Sequence, residues 1–142
     1  MDLLDVNVWV ALSDPRHQFH HAARLYWDNI LEDKCGFCRV TLLGWFRIST
    51  NPKAMGGQPF TNVQLWNIYK ILLAFPEVCF LAEPPDIDTV FAEFSSEPGM
   101  PHHLWTDAYL AAFARTANCR LVSFDSDFNR FAGVRFLQLE SR

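Results

Sequence analysis

Apolar residues recur along this chain in two rhythms: short continuous runs, and longer stretches at helical spacing. "MDLLD" reads as a strand ending at Asp5, and "VNVWVAL" as a helical turn or two stopped by Pro15. Between positions 17 and 32, Phe19, Ala22, Ala23, Tyr26, Trp27, Ile30 and Leu31 repeat at helix spacing. "GFCRV" predicts a second strand, after which Thr41 is the expected N-cap of a helix over "LLGWFRIST", halted at Asn51-Pro52. A loop, "KAMGGQPF", leads to an amphipathic helix over 61–74 that opens at Thr61 and ends before Pro76.

The second half repeats the alternation. "EVCFL" predicts a strand, "DIDTVFAEF" a helix from about Asp86, and "SSEPGMPHH" a loop of turn formers. A strongly apolar helix is expected over 104–117, with Asn118 as its C-terminal stop. "RLVSF" is a strand, "DSDFNRF" a turn or short helix, and "VRFLQL" a last strand. Short buried strands alternating with helices predict an α/β architecture around a mostly parallel sheet. There is no internal repeat, low-complexity tract or linker, so residues 1–142 are expected to form one domain.

Composition narrows the function. Thirteen Phe and five Trp supply a core without disulfides or a structural metal, with some aromatic surface left for a partner. The formal net charge of -4 argues against holding nucleic acid by charge alone. It leaves room for an acidic site that borrows its positive charge from a divalent cation. No secretory leader or membrane-length apolar run is read, so the expected location is the cytoplasm. Cys35, Cys38, Cys79 and Cys119 then read as reduced, buried thiols. "CGFC" has redox spacing, but a reactive pair should open a helix, whereas this one reads as strand. The cysteine spacing does not make a zinc ligand set either.

Carboxylates stand in the greasiest segments, where an unpaired charge is costly. Asp5 follows Leu3-Leu4 and Asp125 follows "LVSF", each at the carboxyl end of a predicted strand. In open parallel sheets ligands bind outside those ends. Asp107 lies in the first turn of the helix that returns to the strand ending at Asp125, which puts it at the same edge. Gathered there, the three would repel one another, and Mg²⁺ or Mn²⁺ would remove the conflict. A plainer reading exists for each. Asp5 caps the following helix, Asp107 suits a helix dipole, and Asp125 caps "SDFNRF" with Asp127 a solvated neighbour.

The stretches "LLDVNVWVAL", "VTLLGWFRISTNP", "TDAYLAAFA" and "RLVSFDSDF", in this order and spacing, resemble a PIN domain, specifically the VapC-type toxin ribonucleases of toxin–antitoxin pairs. The resemblance implies a PIN-like three-layer α/β/α sandwich and a Mg²⁺- or Mn²⁺-dependent endoribonuclease. It also implies a homodimer silenced by a cognate antitoxin. By position it implies Asp5, Asp107 and Asp125 as catalytic metal-binding acids; Asp127, in the same "DSDF", is a candidate further metal ligand in place of a family Glu that is missing here. Asn7 and Ser123 would be supporting polar residues, and Thr106 would cap the acid-bearing helix. One departure stands out: the family's helix Glu is missing, and Leu42 or Gly44 occupies its place. A PIN-like protein that binds RNA or a partner without cutting is therefore the alternative. The "DxD" of "FDSDF" also suggests a haloacid dehalogenase-type phosphatase, but that family carries it after the first strand. His102, His103, Arg16, Arg47 and Lys53 are candidate RNA contacts whose plainer role is solvated charge.

Overall fold

The computed structural model describes residues 1–141. Five strands form one sheet, β1 (Asp2–Leu4), β2 (Cys35–Phe37), β3 (Val78–Phe80), β4 (Arg120–Ser123) and β5 (Phe136–Gln138). Their spatial order is β3-β2-β1-β4-β5, and every pairing is parallel. Six helices flank the sheet: α1 (Val6–Ser13), α2 (His20–Asn29), α3 (Arg39–Ser49), α4 (Asn62–Ala74), α5 (Ile87–Ser95) and α6 (Trp105–Ala117). Two 3-10 turns, His102–Leu104 and Ser126–Arg130, flank α6 and follow β4.

Strand alternation divides the core into two. Leu3 and Leu121 face α5 and α6, joining Ile87, Phe94, Leu110 and Phe113. Leu4 and Val122 face the other way, toward Trp9, Tyr26, Leu42 and Trp45 of α1 to α3 and Leu65 and Tyr69 of α4. The result is the expected three-layer α/β/α arrangement. Stacking of Trp9 on Phe37, with centroids 3.7 Å apart, ties α1 to β2. Both strand faces are covered, which is why the strands read as unbroken apolar runs.

The chain order also places the site. From β1 the chain moves outward to β2 and β3, then crosses back to β4 on the other side of β1. β1 and β4 are therefore the neighbours at which the winding reverses, and a crevice opens beyond their carboxyl ends. Asp5 and Phe124-Asp125 lie at that edge. At the opposite edge, buried Asp2 accepts two hydrogen bonds from Arg120, from Nε at 2.9 Å and Nη2 at 2.8 Å. It accepts a third from the Tyr26 hydroxyl at 2.6 Å. That acid is neutralised and saturated, and it locks α2 and β4 to β1.

Three local expectations are corrected. The helix expected over 17–32 forms only over His20–Asn29, because His17 Nδ1 accepts from the Phe19 amide at 3.0 Å and holds a turn there. The second strand ends at Phe37 rather than running through Val40, and Arg39 already begins α3. Cys38, extended at φ −106° and ψ 175°, is the N-cap residue. Thr41 sits three positions further on, its Oγ1 accepting from the Cys38 amide at 3.0 Å. The "CGFC" pair thus does end at a helix start. Yet all four cysteines are free thiols, and burial pushes those of Cys35 and Cys38 up, away from reactivity.

Candidate metal centre

Asp5 ends β1 as the N-cap of α1, with only 9% of its surface exposed. Its Oδ1 accepts from the Val6 amide at 2.8 Å. Its Oδ2 accepts from the Ser123 hydroxyl at 2.7 Å. Burial pushes the carboxyl above its usual range, those two hydrogen bonds pull it back, and the Asp125 charge adds to the rise. The capping reading and the cluster reading of Asp5 are therefore both right, each oxygen serving a different neighbour.

Ser123 is fully buried and organises this corner. Besides donating to Asp5, its oxygen accepts from Asn7 Nδ2 at 3.1 Å and from the Asp125 amide at 3.0 Å. Asn7 Oδ1 in turn accepts from the Phe124 amide at 3.3 Å. One hydroxyl and one amide thus bind the end of β4 to the start of α1. The two supporting residues anticipated there, Asn7 and Ser123, hold the backbone that carries the acids.

Asp107 occupies the first turn of α6, half-buried. No donor among the described residues hydrogen-bonds its carboxylate. Burial first, then the charges of Asp5, Asp125 and Asp127, push its pKa up to about 7. Asp125 caps the 3-10 turn after β4, accepting from the Asp127 amide at 2.9 Å, and that turn swings Asp127 beside it. One carboxylate oxygen from each of Asp107, Asp125 and Asp127 lies within 4.8 Å of the other two. Asp5 lies outside that 4.8 Å group and is coupled to it through charge, acting on Asp107 and feeling Asp125. Among the described residues, no Lys, Arg or His forms an ion pair with any of the four.

Not every anticipated residue joins. Thr106 does not cap α6: the helix begins one residue earlier, Leu104 holds the N-cap position without a side-chain bond, and Thr106 is exposed in the first turn. His102 and His103 are exposed in the 3-10 turn ahead of α6. Arg16 pairs with Asp14 at 3.0 Å. Leu42 is buried beneath α1, and a Cβ on Gly44 would meet Val6 Cγ2 at 2.5 Å. Gly44 thus has no room for an acidic side chain, and a carboxylate in place of Leu42 would be buried. The exposed Asp127 lies beside Asp107 and Asp125 instead.

The chain is similar to known proteins over nearly its whole length. A family model described as PIN domain matches residues 3–134. Ribonuclease VapC41 of Mycobacterium tuberculosis is 34% identical over 139 residues, covering 94% of this chain and 95% of that protein. Ribonuclease VapC37 of the same species is 32% identical over 146 residues, covering 97% and 96%. Among solved structures, M. tuberculosis VapC20, described as a Sarcin-Ricin loop cleaving toxin, superposes with a TM-score of 0.69 at 15% identity, covering 95% of this chain and 98% of that one. Rickettsia felis VapBC2, bound to a DNA fragment from its promoter, gives 0.66 at 14% identity with 98% of both chains covered. At such identities the structural likeness speaks for the fold.

Proposed function

The chain belongs to the PIN domain family, and from that premise we propose that it is a divalent-metal-dependent endoribonuclease toxin of the VapC type, silenced by a cognate antitoxin. One observation carries the reading. Asp107, Asp125 and Asp127 converge beside buried Asp5 at the sheet's switch point, without a cationic side chain to pair with them. An equally buried acid, Asp2, is saturated by Arg120 and Tyr26 at the other edge. The fold can therefore neutralise a buried carboxylate with a cation, and among the described residues none of the four acids at the crevice has such an ion pair. The ribonuclease relatives at 34% and 32% identity support the same activity.

The donor set fits a hard cation. All the available ligands are carboxylate oxygens, the set that Mg²⁺ and Mn²⁺ prefer, and the outer acids leave an open side for water and phosphate. Asp5, Asp107 and Asp125 would hold the ion, with Asp127 as the fourth acid. When bound, such an ion supplies a water acidic enough to be a nucleophile near neutral pH and positive charge facing the phosphodiester. The remaining work belongs to the chain. Ser123 and the Val6 amide fix both oxygens of Asp5, Ser123 holds the Asp125 amide, Asn7 holds the Phe124 amide, and α6 carries Asp107 at the crevice.

The partners follow from the surface. A cleft between α1, α2 and α4, walled by Leu12, Trp27, Ile68 and Leu72, suits an apolar helix of an antitoxin. Leu43 of α3 and Val63 and Trp66 of α4 expose apolar surface suited to a homodimer.

Purified protein with structured RNA and Mg²⁺ should cleave, EDTA should stop it, and Asp5→Asn or Asp107→Asn should remove it. Cleavage that survives those substitutions contradicts the assignment. RNA binding without cleavage, and without uptake of millimolar Mn²⁺, would instead identify a binding protein that has lost catalysis.

A further inference from the structure

We propose that Trp105 is a base-stacking platform of this enzyme, holding a nucleotide of the substrate away from the one whose phosphate is cut. The proposal rests on the nuclease reading above and adds a substrate-positioning residue to it. Trp105 opens α6, two residues before Asp107, and 57% of its surface is exposed. An exposed indole forfeits the burial that normally repays so large an apolar side chain.

Among the other large exposed apolar residues, Phe80 ends β3 at the same carboxyl edge, but the Arg39 guanidinium sits over its ring at 4.7 Å. Leu25 is on α2, Leu43 and Ile48 on α3, and Val63, Trp66, Ile71 and Leu73 on α4, forming the faces suited to protein partners. Trp105 is the large exposed apolar residue of α6, the helix that carries Asp107. Its ring is not loose. Phe91 of α5 meets it edge to face at 6.0 Å, and Phe91 is braced from behind by Tyr109 at 5.6 Å. Tyr109 is anchored in turn by donating to Glu83 Oε1 at 2.6 Å. A ring preoriented by this chain costs little to order when a planar partner arrives.

Helix geometry determines which nucleotide it would meet. Successive residues turn by about 100°, so Trp105 and Asp107 project from nearly opposite sides of the first turn. A base on Trp105 therefore belongs to a nucleotide away from the scissile phosphate and tracks the α5 side of the crevice. Stacking accepts any base, since each has a π-face, and it supplies affinity that a chain of net charge -4 does not gain from charge.

The test uses the full chain, Mn²⁺ and an oligoribonucleotide that the wild type cleaves. Trp105→Ala is expected to raise KM about 5- to 100-fold with kcat nearly unchanged, and Trp105→Phe to recover part of the loss. A single abasic substitution moved along the RNA should reproduce the KM rise at one position. At that position it should add nothing further in Trp105→Ala, since both changes remove the same stack. A KM in Trp105→Ala equal to wild type, or penalties that add independently, overturns the proposal. Melting temperatures of both variants should match wild type, because the ring is outside the core. Failure of the wild type itself to cleave any RNA refutes the nuclease reading, and this inference with it, before a variant is made.

Discussion

Replacing Asp107 by Asn should make the cation-free protein more stable at pH 8, although it removes a residue from the proposed centre. The carboxyl's pKa rises from 3.8 to about 7 in the folded chain. The native state therefore keeps a proton between those values that the unfolded chain has released. Stability falls as pH climbs through that window, and the penalty is fully present above about pH 7. At about 1.4 kcal/mol per tenfold change in proton affinity the ceiling is about 4 kcal/mol. Half-burial and solvent screening reduce this to about 1–3 kcal/mol. In a domain near this size that is a melting temperature about 3–9 °C higher for Asp107→Asn in EDTA at pH 8. The difference should shrink as pH falls and approach zero below about pH 4, where the unfolded chain also takes up the proton. Mn²⁺ at about a thousand times its Kd should reverse the order, since it then stabilises the wild type by about 4 kcal/mol. Thermal melts of both proteins at pH 4 and pH 8, with EDTA and with Mn²⁺, supply the measurement. A variant less stable than wild type in EDTA at pH 8 would mean that Asp107 is paired or solvated, and the argument for an uncompensated cluster would fail.

Asp2→Ala should cost about 3–5 kcal/mol by urea unfolding, since it strands Arg120 and Tyr26, while RNA cleavage below the transition is retained. Ser123→Ala should cost about 1–3 kcal/mol by removing the buried donor to Asp5, and should weaken Mn²⁺ binding by calorimetry about 10- to 100-fold. Gly44→Ala should destabilise by about 1–3 kcal/mol and reduce cleavage, because the new methyl meets the stiff Val6 side chain beside the Asp5 cap. Asn118→Ala should cost about 1 kcal/mol by denaturant melt without altering cleavage, since the residue ends α6 at φ 54°.

Local pattern carried most of the fold. Leu3-Leu4 and Leu121-Val122 read as buried strands because both faces are covered, and Thr61 and Asn118 mark helix ends through the caps they form. The misplaced boundaries share a cause. A threonine near a helix start suits either the N-cap or the third position, and only the backbone of Cys38 decides for Thr41. Thr106 misled in the same way, since α6 starts on Leu104 without any side-chain cap. The meeting of Asp107 and Asp125 was legible because strand ends and helix starts share an edge in a parallel sheet, whereas Asp5 lies outside their 4.8 Å group. Asp127 was weaker as a ligand candidate because its place depends on how a 3-10 turn folds back. Two features had no local signal. The Asp2–Tyr26–Arg120 lock joins residues far apart in sequence, and the outward face of Trp105 was hidden inside an apolar run.

The account stands on four acids sharing one cation. A crystal grown with Mn²⁺ and measured at the manganese absorption edge tests that directly. An anomalous peak bridging Asp107 and Asp125, within reach of Asp5 or Asp127, is the predicted result. Manganese bound only at other surface carboxylates, with the crevice holding none, would contradict it.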